Sequence, residues 1–299
     1  MAELTVFTPT YNRAALLKRV YDSLRNQTCK DFVWLIVDDG STDDTKEAVE
    51  SFAKEDNGFT IEYAYRENGG KMRAHNMGVK LTKTDWFMCL DSDDYLPSDS
   101  VETIIGYINK YNNGSYDTDI AATAQAFAGI IAHKGKSATE LLSEVEFPKA
   151  VMRNEEYGIS SLYNLYRKGF FGETTIVFRR EVIAKYPFPE IEGEKYVPED
   201  YIYDKIDAEY VYLVVKKILT VCEIVTSGYT DSVTRLRENN KQAWFLYYEQ
   251  RSRITPMSVH KLKLCAFYLY FARKTGKKIP FKYYILGLPG YCIIKLRDK

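Results

Sequence analysis

The sequence predicts an α/β fold: a mainly parallel sheet flanked by helices, followed by a helical C-terminal extension. Three observations predict it. Over the first hundred residues, apolar runs rich in β-branched and aromatic side chains alternate with stretches of helical spacing, in the order βαβαβαβ. The apolar runs are continuous, as in strands covered on both faces of a parallel sheet. Beyond residue 250 the composition turns basic, aromatic and apolar together, as in a helical extension.

Each element follows from local chemistry. Residues 4–8 form the first strand, and Pro9 is expected to stop it. Asn12 is placed to cap the next helix, in which Leu16, Leu17, Val20, Tyr21 and Leu24 recur at helical spacing. Residues 32–37 are the second strand and 43–54 the second helix. A strand over 59–65, a helix over 72–81 and a strand over 86–90 complete the alternation. The helix over 101–111 follows Pro97 and ends at Asn112-Asn113-Gly114. Residues 120–131 are expected to return to the sheet. Phe171-Gly172-Glu173-Thr174 leads into a strand over 175–178, 205–215 is mixed, and 218–225 is a further strand. The pattern over 141–166 is irregular and is assigned to helices. Trp244 to Tyr248 give one helical turn a broad aromatic face, expected to pack rather than to hold a ligand.

Composition excludes several classes. With 45% apolar and 27% charged residues, the 299-residue chain can bury a core, which excludes disorder. The 41 basic and 41 acidic residues cancel, so charge supplies no basis for binding nucleic acid. Five scattered cysteines without a Cys-x-x-Cys pair, and three histidines, argue against zinc and suit a reducing compartment. The N-terminus lacks the features of a signal peptide. No run reaches the ~18–20 apolar residues of a membrane span. The best candidates, 264–272 and 284–294, are short, and the second is broken by Pro289 and Gly290. The expectation is a cytoplasmic protein. Its charge is nonetheless divided: residues 251–299 hold twelve Lys or Arg against Asp298, a net +11. Such a segment suits the surface of an anionic membrane, or forms a helical cap on the main domain; the two readings are compatible.

In parallel sheets, ligands bind beyond the carboxyl ends of the strands. Three polar clusters stand there: Thr8-Pro9-Thr10-Tyr11-Asn12-Arg13, Asp38-Asp39 and Asp91-Ser92-Asp93-Asp94. Neither GxGxxG nor GxxxxGK[ST] occurs, so a nucleotide would be held by another route. Hard carboxylate oxygens suit Mg²⁺ or Mn²⁺, which bridge to phosphates and relieve the repulsion among neighbouring acids. The alternative is an acidic turn in which Asp94 or Ser98 caps the next helix.

Five motifs in this order resemble glycosyltransferase family 2, of the Rossmann-like GT-A fold. They are residues 7–13, residues 37–45, Glu67-Asn68-Gly69-Gly70 with Asn76 beyond, residues 90–97, and Pro198-Glu199-Asp200-Tyr201. The resemblance covers residues 1 to about 205, is loose beyond, and points toward bacterial enzymes that build capsules, exopolysaccharides or cell-wall glycans. It implies a domain over 1–228, with a nucleotide-sugar half to about 97 and an acceptor half over 98–228 that includes the helices of 141–166, then the extension over 229–299. Thr8 and Tyr11 match positions lining the base pocket, and Asp39 the carboxylate that accepts uracil N3–H. Asp38, its neighbour, is read as fixing the turn. Lys71 matches a basic position near base or phosphate. Asp91 and Asp93 match the DxD pair, Asp93 as direct metal ligand, Asp91 toward the ribose or a metal-bound water, with Asp94 behind them.

Glu199-Asp200 matches the family's acidic pair, with Asp200 as general base; the plain reading of the pair is a helix start after Pro198. The resemblance thus implies a metal-dependent inverting transferase. A UDP-sugar would be the donor, Mn²⁺ or Mg²⁺ the cofactor, and a saccharide or lipid-linked saccharide the acceptor. A peripheral contact between 251–299 and the inner face of the plasma membrane would accompany it. His75, which departs from the common family pattern, is read as structural. Arg235, with Arg237, stands on a late stretch that can close over a diphosphate or simply be surface charge. The acids over 192–194 line an acceptor site or are solvated. The rivals are an inactive scaffold of the same fold, which the intact Asp39, Asp91, Asp93 and Asp200 oppose, and a sugar nucleotidyltransferase, whose glycine-rich loop is missing after the first strand.

Overall fold

The computed structural model describes residues 2–222 and 233–297. They fall into two units: 1–187 with 203–225, and 188–202 with 226–299. Residues 188–202, assigned from the sequence to the acceptor half, thus group with the C-terminal helices. The expected boundary at 228 and the last residues of the strand over 218–225 lie outside the described residues.

The first unit opens with β1 (Leu4–Thr10), α1 (Ala14–Arg25), β2 (Phe32–Asp38), α2 (Thr45–Ala53), β3 (Thr60–Tyr65), α3 (Lys71–Leu81) and β4 (Trp86–Cys89). These four strands lie in the order β3-β2-β1-β4, all parallel. Successive side chains alternate between faces. Leu4, Val6, Trp34, Ile36, Trp86 and Met88 share a core with Leu17, Val20, Tyr21 and Leu24 of α1 and with Val49 and Phe52 of α2. Phe7 and Phe87 stack on the other face and meet the edge of His75 on α3. His75 is buried there, in the structural role read from the sequence.

Two local expectations are corrected. Pro9 does not stop β1. Phe7 O accepts from Leu90 N and Thr10 O from Asp39 N, so odd positions face β4 and even ones β2. β4 pairs with β1 only as far as Phe7, so the N–H that proline lacks falls where the ladder has already ended. Asn12 does not cap α1. It adopts φ 51°, its N–H donates to Ser41 Oγ at 2.8 Å, and its Oδ1 accepts from Thr42 N at 2.8 Å. Asp43, from the next crossover, accepts the Ala14 N–H at the start of α1 instead. The two loops are thereby tied together.

Beyond β4 come β5 (Asp94–Tyr95), α4 (Ser100–Asn112), α5 (Asp117–Ala121), β6 (Ala126–Gly135), a 3₁₀ turn (Lys149–Val151), β7 (Tyr157–Ser160), α6 (Leu162–Arg167), β8 (Thr174–Arg179), α7 (Arg180–Ile183), α8 (Asp200–Asp207) and β9 (Tyr210–Cys222). The sheet continues β4-β8-β6-β9-β5, with β7 also on β9. It is parallel through β4 and mixed beyond, because β8, β5 and β7 run against their neighbours. The strand expected over 120–131 begins only at Ala126, after the short α5. The region 141–166 holds β7 besides α6. Residues 210–222 are one long strand; exposed Lys216 and Lys217, at an irregular register with β6, interrupt its apolar pattern.

The second unit contains α9 (Val233–Asn239), α10 (Lys241–Ile254), α11 (Val259–Thr275) and α12 (Phe281–Arg297). Ser258 caps α11 through the Lys261 N–H, and Gly276 ends it at φ 70°. Trp244, Phe245 and Tyr248 are buried among Tyr268, Phe271 and Tyr283, so the aromatic run packs as expected. α12 crosses α11 closely: a Cβ on Gly287 would lie 2.5 Å from the Cys265 carbonyl oxygen. Among the described residues no helix is long and apolar enough to cross a membrane.

α3 also approaches β1 closely, since a Cβ on Gly78 would overlap the Phe7 ring, whereas Gly106 in α4 has open space. Alanine normally stabilises a helix by about 1 kcal/mol over glycine. Gly106→Ala should therefore raise the urea midpoint. Gly78→Ala should lower it, the overlap costing about 1–3 kcal/mol.

Candidate functional site

The carboxyl ends of β1, β2 and β3 are in register, Thr10 beside Asp38 beside Tyr65. The next residues, Tyr11, Asp39 and Arg66, therefore emerge together at one edge of the sheet. β4 ends beside them, with Leu90 N bonded to Phe7 O, and delivers Asp91 and Asp93 to the same edge. Asp38 fixes its turn, as expected: Oδ1 accepts from Ser41 N at 2.7 Å and Oδ2 from the Tyr63 hydroxyl at 2.7 Å.

Asp39 is 4% exposed and fully engaged. Its carboxylate pairs with Arg66 Nη1 and accepts from Gly70 N at 2.6 Å, Gly69 N at 3.0 Å and Asn68 Nδ2 at 3.3 Å. Gly70 takes φ 97° to present its N–H and start α3. Lys71, the first residue of α3, then reaches Asp91, with Nζ 2.8 Å from Oδ1. Burial pushes the Asp91 carboxyl up, but Lys71 and Lys134 outweigh it and hold its pKa at about 2. Asp93 Oδ2 pairs with Arg13 Nη1 at 3.0 Å, and its carbonyl accepts from Arg19. Asp94 does not cap the next helix. It lies in β5, buried, and accepts from Lys134 Nζ at 3.0 Å and from the Cys222 thiol at 3.3 Å. Burial disfavours the Lys134 ammonium, but Asp94 and Asp91 outweigh it and raise its pKa above the ordinary lysine range.

The other predicted residues are placed as follows. Thr8 is fully buried and its hydroxyl accepts from Trp34 Nε1 at 3.0 Å, so that hydroxyl is turned into the core. Tyr11 is 48% exposed and offers a free aromatic surface. Asp200 opens α8 after Glu199, in the second unit, with its carboxylate 2.7 Å from Arg251 Nη2. The same segment is fastened by Glu194, which accepts the Gln242 and Ala243 amides at 2.7 and 2.8 Å. Asn240 Oδ1 accepts from Lys195 N and Tyr196 N. Glu194 is thus a helix cap rather than a solvated acid. Arg235 is exposed on α9, while Arg237 lies over the rings of Trp244 and Phe267 at 5.1 and 5.0 Å.

Among the described residues no three His, Cys, Asp or Glu side chains converge as a metal cage. Asp91 and Asp93 supply two part-exposed carboxylates. That donor set fits a hard divalent ion completed by substrate phosphates and water.

A family model described as Glycosyl transferase family 2 matches residues 5–185. The chain belongs to glycosyl transferase family 2. It is 29% identical over 177 residues to the GalNAc(5)-diNAcBac-PP-undecaprenol beta-1,3-glucosyltransferase of Campylobacter jejuni, covering 57% of this chain and 55% of that one. To the glycosyltransferase GlyG of Streptococcus pneumoniae it is 34% identical over 106 residues, 35% of each chain. The matches thus span about half or less of these curated relatives. Among solved structures, S. aureus TarS 1-349 in complex with UDP-GlcNAc superposes with TM-score 0.61 at 17% identity, over 90% of this chain and 72% of that one. The mannosyltransferase PcManGT of Pyrobaculum calidifontis, in complex with GDP-Man and Mn2+, gives 0.55 at 18% identity, over 97% and 80%. At these identities the structures establish the shared fold.

Within this family 2 chain, the sequence set Arg13 in its first polar cluster without a role and passed over Arg66 and Lys134; the structure pairs Arg13 with Asp93, Arg66 with Asp39 and Lys134 with Asp94. Arg66 directly follows β3 and Arg13 lies three residues beyond β1, a signal that was available. Lys134 carried none, since it ends a strand far along the chain. Its removal is the sharpest check on the cluster. Lys134→Met should destabilise the protein by about 3 kcal/mol in chemical denaturation, because Asp94 is left buried without its cation. Adding Asp94→Asn should recover much of that loss.

Proposed function

We propose that this protein is a metal-dependent, inverting glycosyltransferase that moves a sugar from a UDP-sugar to a hydroxyl of a saccharide or lipid-linked saccharide. The observation that carries the reading is the set of ion pairs at one sheet edge: Lys71 on Asp91, Arg13 on Asp93 and Arg66 on Asp39. A nucleoside diphosphate brings the anionic oxygens that Lys71 and Arg13 can turn to, freeing the two carboxylates for a cation. Tyr11 supplies a stacking face for the base. A uracil N3–H would donate to the Asp39 carboxylate in place of Asn68 or Arg66.

Asp91 and Asp93 would hold Mn²⁺ or Mg²⁺, which when bound stabilises the charge of the departing diphosphate. Asp200 takes the proton of the acceptor hydroxyl as that oxygen attacks the anomeric carbon, and Arg251 keeps its carboxylate oriented. One in-line displacement inverts the configuration. The bound UDP-GlcNAc of TarS and the Mn2+ of PcManGT support donor and cofactor. The name of the Campylobacter relative supports a lipid-linked acceptor in surface-glycan synthesis. With such an acceptor, the basic segment 251–299 would meet the inner face of the plasma membrane from the cytoplasm.

Calorimetry tests the donor site. UDP should bind in Mn²⁺ in preference to GDP and ADP, and binding should be lost in EDTA and in Asp93→Ala. Absence of nucleotide binding under every condition would favour the inactive scaffold. Asp200→Asn should leave UDP binding intact and slow transfer by about 10²–10⁴-fold, the usual contribution of a positioned base.

A further inference from the structure

The outer face of α12 has no counterpart in the transfer chemistry. Tyr283, Leu286, Tyr291 and Ile294 join the core of the second unit, and Gly287 rests on the α11 backbone. The opposite face is apolar as well, and bare. Phe281 is 77% exposed, Ile285 48% and Ile293 57%, with exposed Pro289 between them. A spacing of four keeps the residues on one stripe. From 281 to 293 it runs about 18 Å along the helix. Exposed Lys278 and Lys282 flank its first residue, and α12 carries no acid.

We propose that this stripe lies flat in the surface of an anionic bilayer, with Phe281, Ile285 and Ile293 entering the acyl boundary and Lys278 and Lys282 meeting lipid phosphates. The inference rests on the membrane reading above and assigns the inserting face. Charge selects the occupant. Residues 251–299 carry twelve Lys or Arg against one Asp, so a symmetric contact with a second copy would bring like charges together. Anionic headgroups complement them. The helix lies on the bilayer rather than across it, since no described helix is long and apolar enough to span.

The test uses the full chain, with vesicles of phosphatidylcholine alone or mixed with phosphatidylglycerol. Wild type should sediment with the anionic vesicles only. The exposed-site variant Phe281→Ser/Ile285→Ser/Ile293→Ser should bind them at least about tenfold more weakly, with UDP binding unchanged as the check on folding. Lys278→Gln/Lys282→Gln should weaken binding and flatten its salt dependence. If wild type and the serine variant bind anionic vesicles equally, the inserting face is wrong while the membrane reading stands. If wild type binds neither vesicle, both fail. A wild-type dimer in light scattering that the serine variant abolishes would overturn the proposal in favour of a second copy of this chain.

Discussion

The carboxylate of Asp39 is the point on which the edge of the first sheet is organised. Buried at the end of β2, it gathers Arg66 from β3, Asn68, and the Gly69 and Gly70 amides that open α3. A buried carboxylate is tolerated only when its lone pairs are filled, and here the loop between β3 and α3 fills them. Filling them sets where α3 begins. The start of α3 in turn aims Lys71 at Asp91, across the sheet on the far side of β1. A single satisfied charge therefore couples the end of β2 to the acidic cluster after β4.

At the acidic end, each carboxylate of the Asp91–Asp94 cluster has a cation: Lys71, Arg13 and Lys134. The pairs differ in exposure. Asp94 and Lys134 are the most enclosed and brace β5, β6 and β9 around the cluster. Asp91 and Asp93 are about a third and a quarter exposed, open enough for their partners to exchange. The cluster thus combines one enclosed ion pair with two part-exposed ones.

The C-terminal helices do more than add mass. Glu194 caps α10, Asn240 binds the amides of Lys195 and Tyr196, Gln250 donates to the Tyr201 carbonyl, and Arg251 holds Asp200. The segment that carries the candidate base is therefore held by the same unit that presents the apolar stripe of α12. Asp200, the Arg251 that pairs with it and the exposed apolar stripe of α12 thus belong to one unit.

The sequence by itself determined the α/β alternation, the edge at which the first strands end and the acidic motifs. Continuous apolar runs and helical spacing are local patterns, and a parallel sheet sends the ends of its strands to one edge whatever its loops do. It also determined that Trp244 to Tyr248 pack and that Asp38 fixes a turn. Tertiary structure decided the rest. Pro9 stays in β1 because the pairing with β4 ends two positions earlier, at Phe7, a fact about a neighbouring strand. Asp43 rather than Asn12 caps α1 because a second loop lies alongside the first. β9 is continuous across Lys216 and Lys217 because its pairing with β6 resumes at Ile218 beyond an irregularity, which its own pattern does not reveal. Lys134 reaches Asp94 across 40 residues of chain, a partnership without local signature. Where a residue's role depends on what its own neighbours bury, the sequence is sufficient. Where it depends on which distant charge must be neutralised, only the folded chain decides.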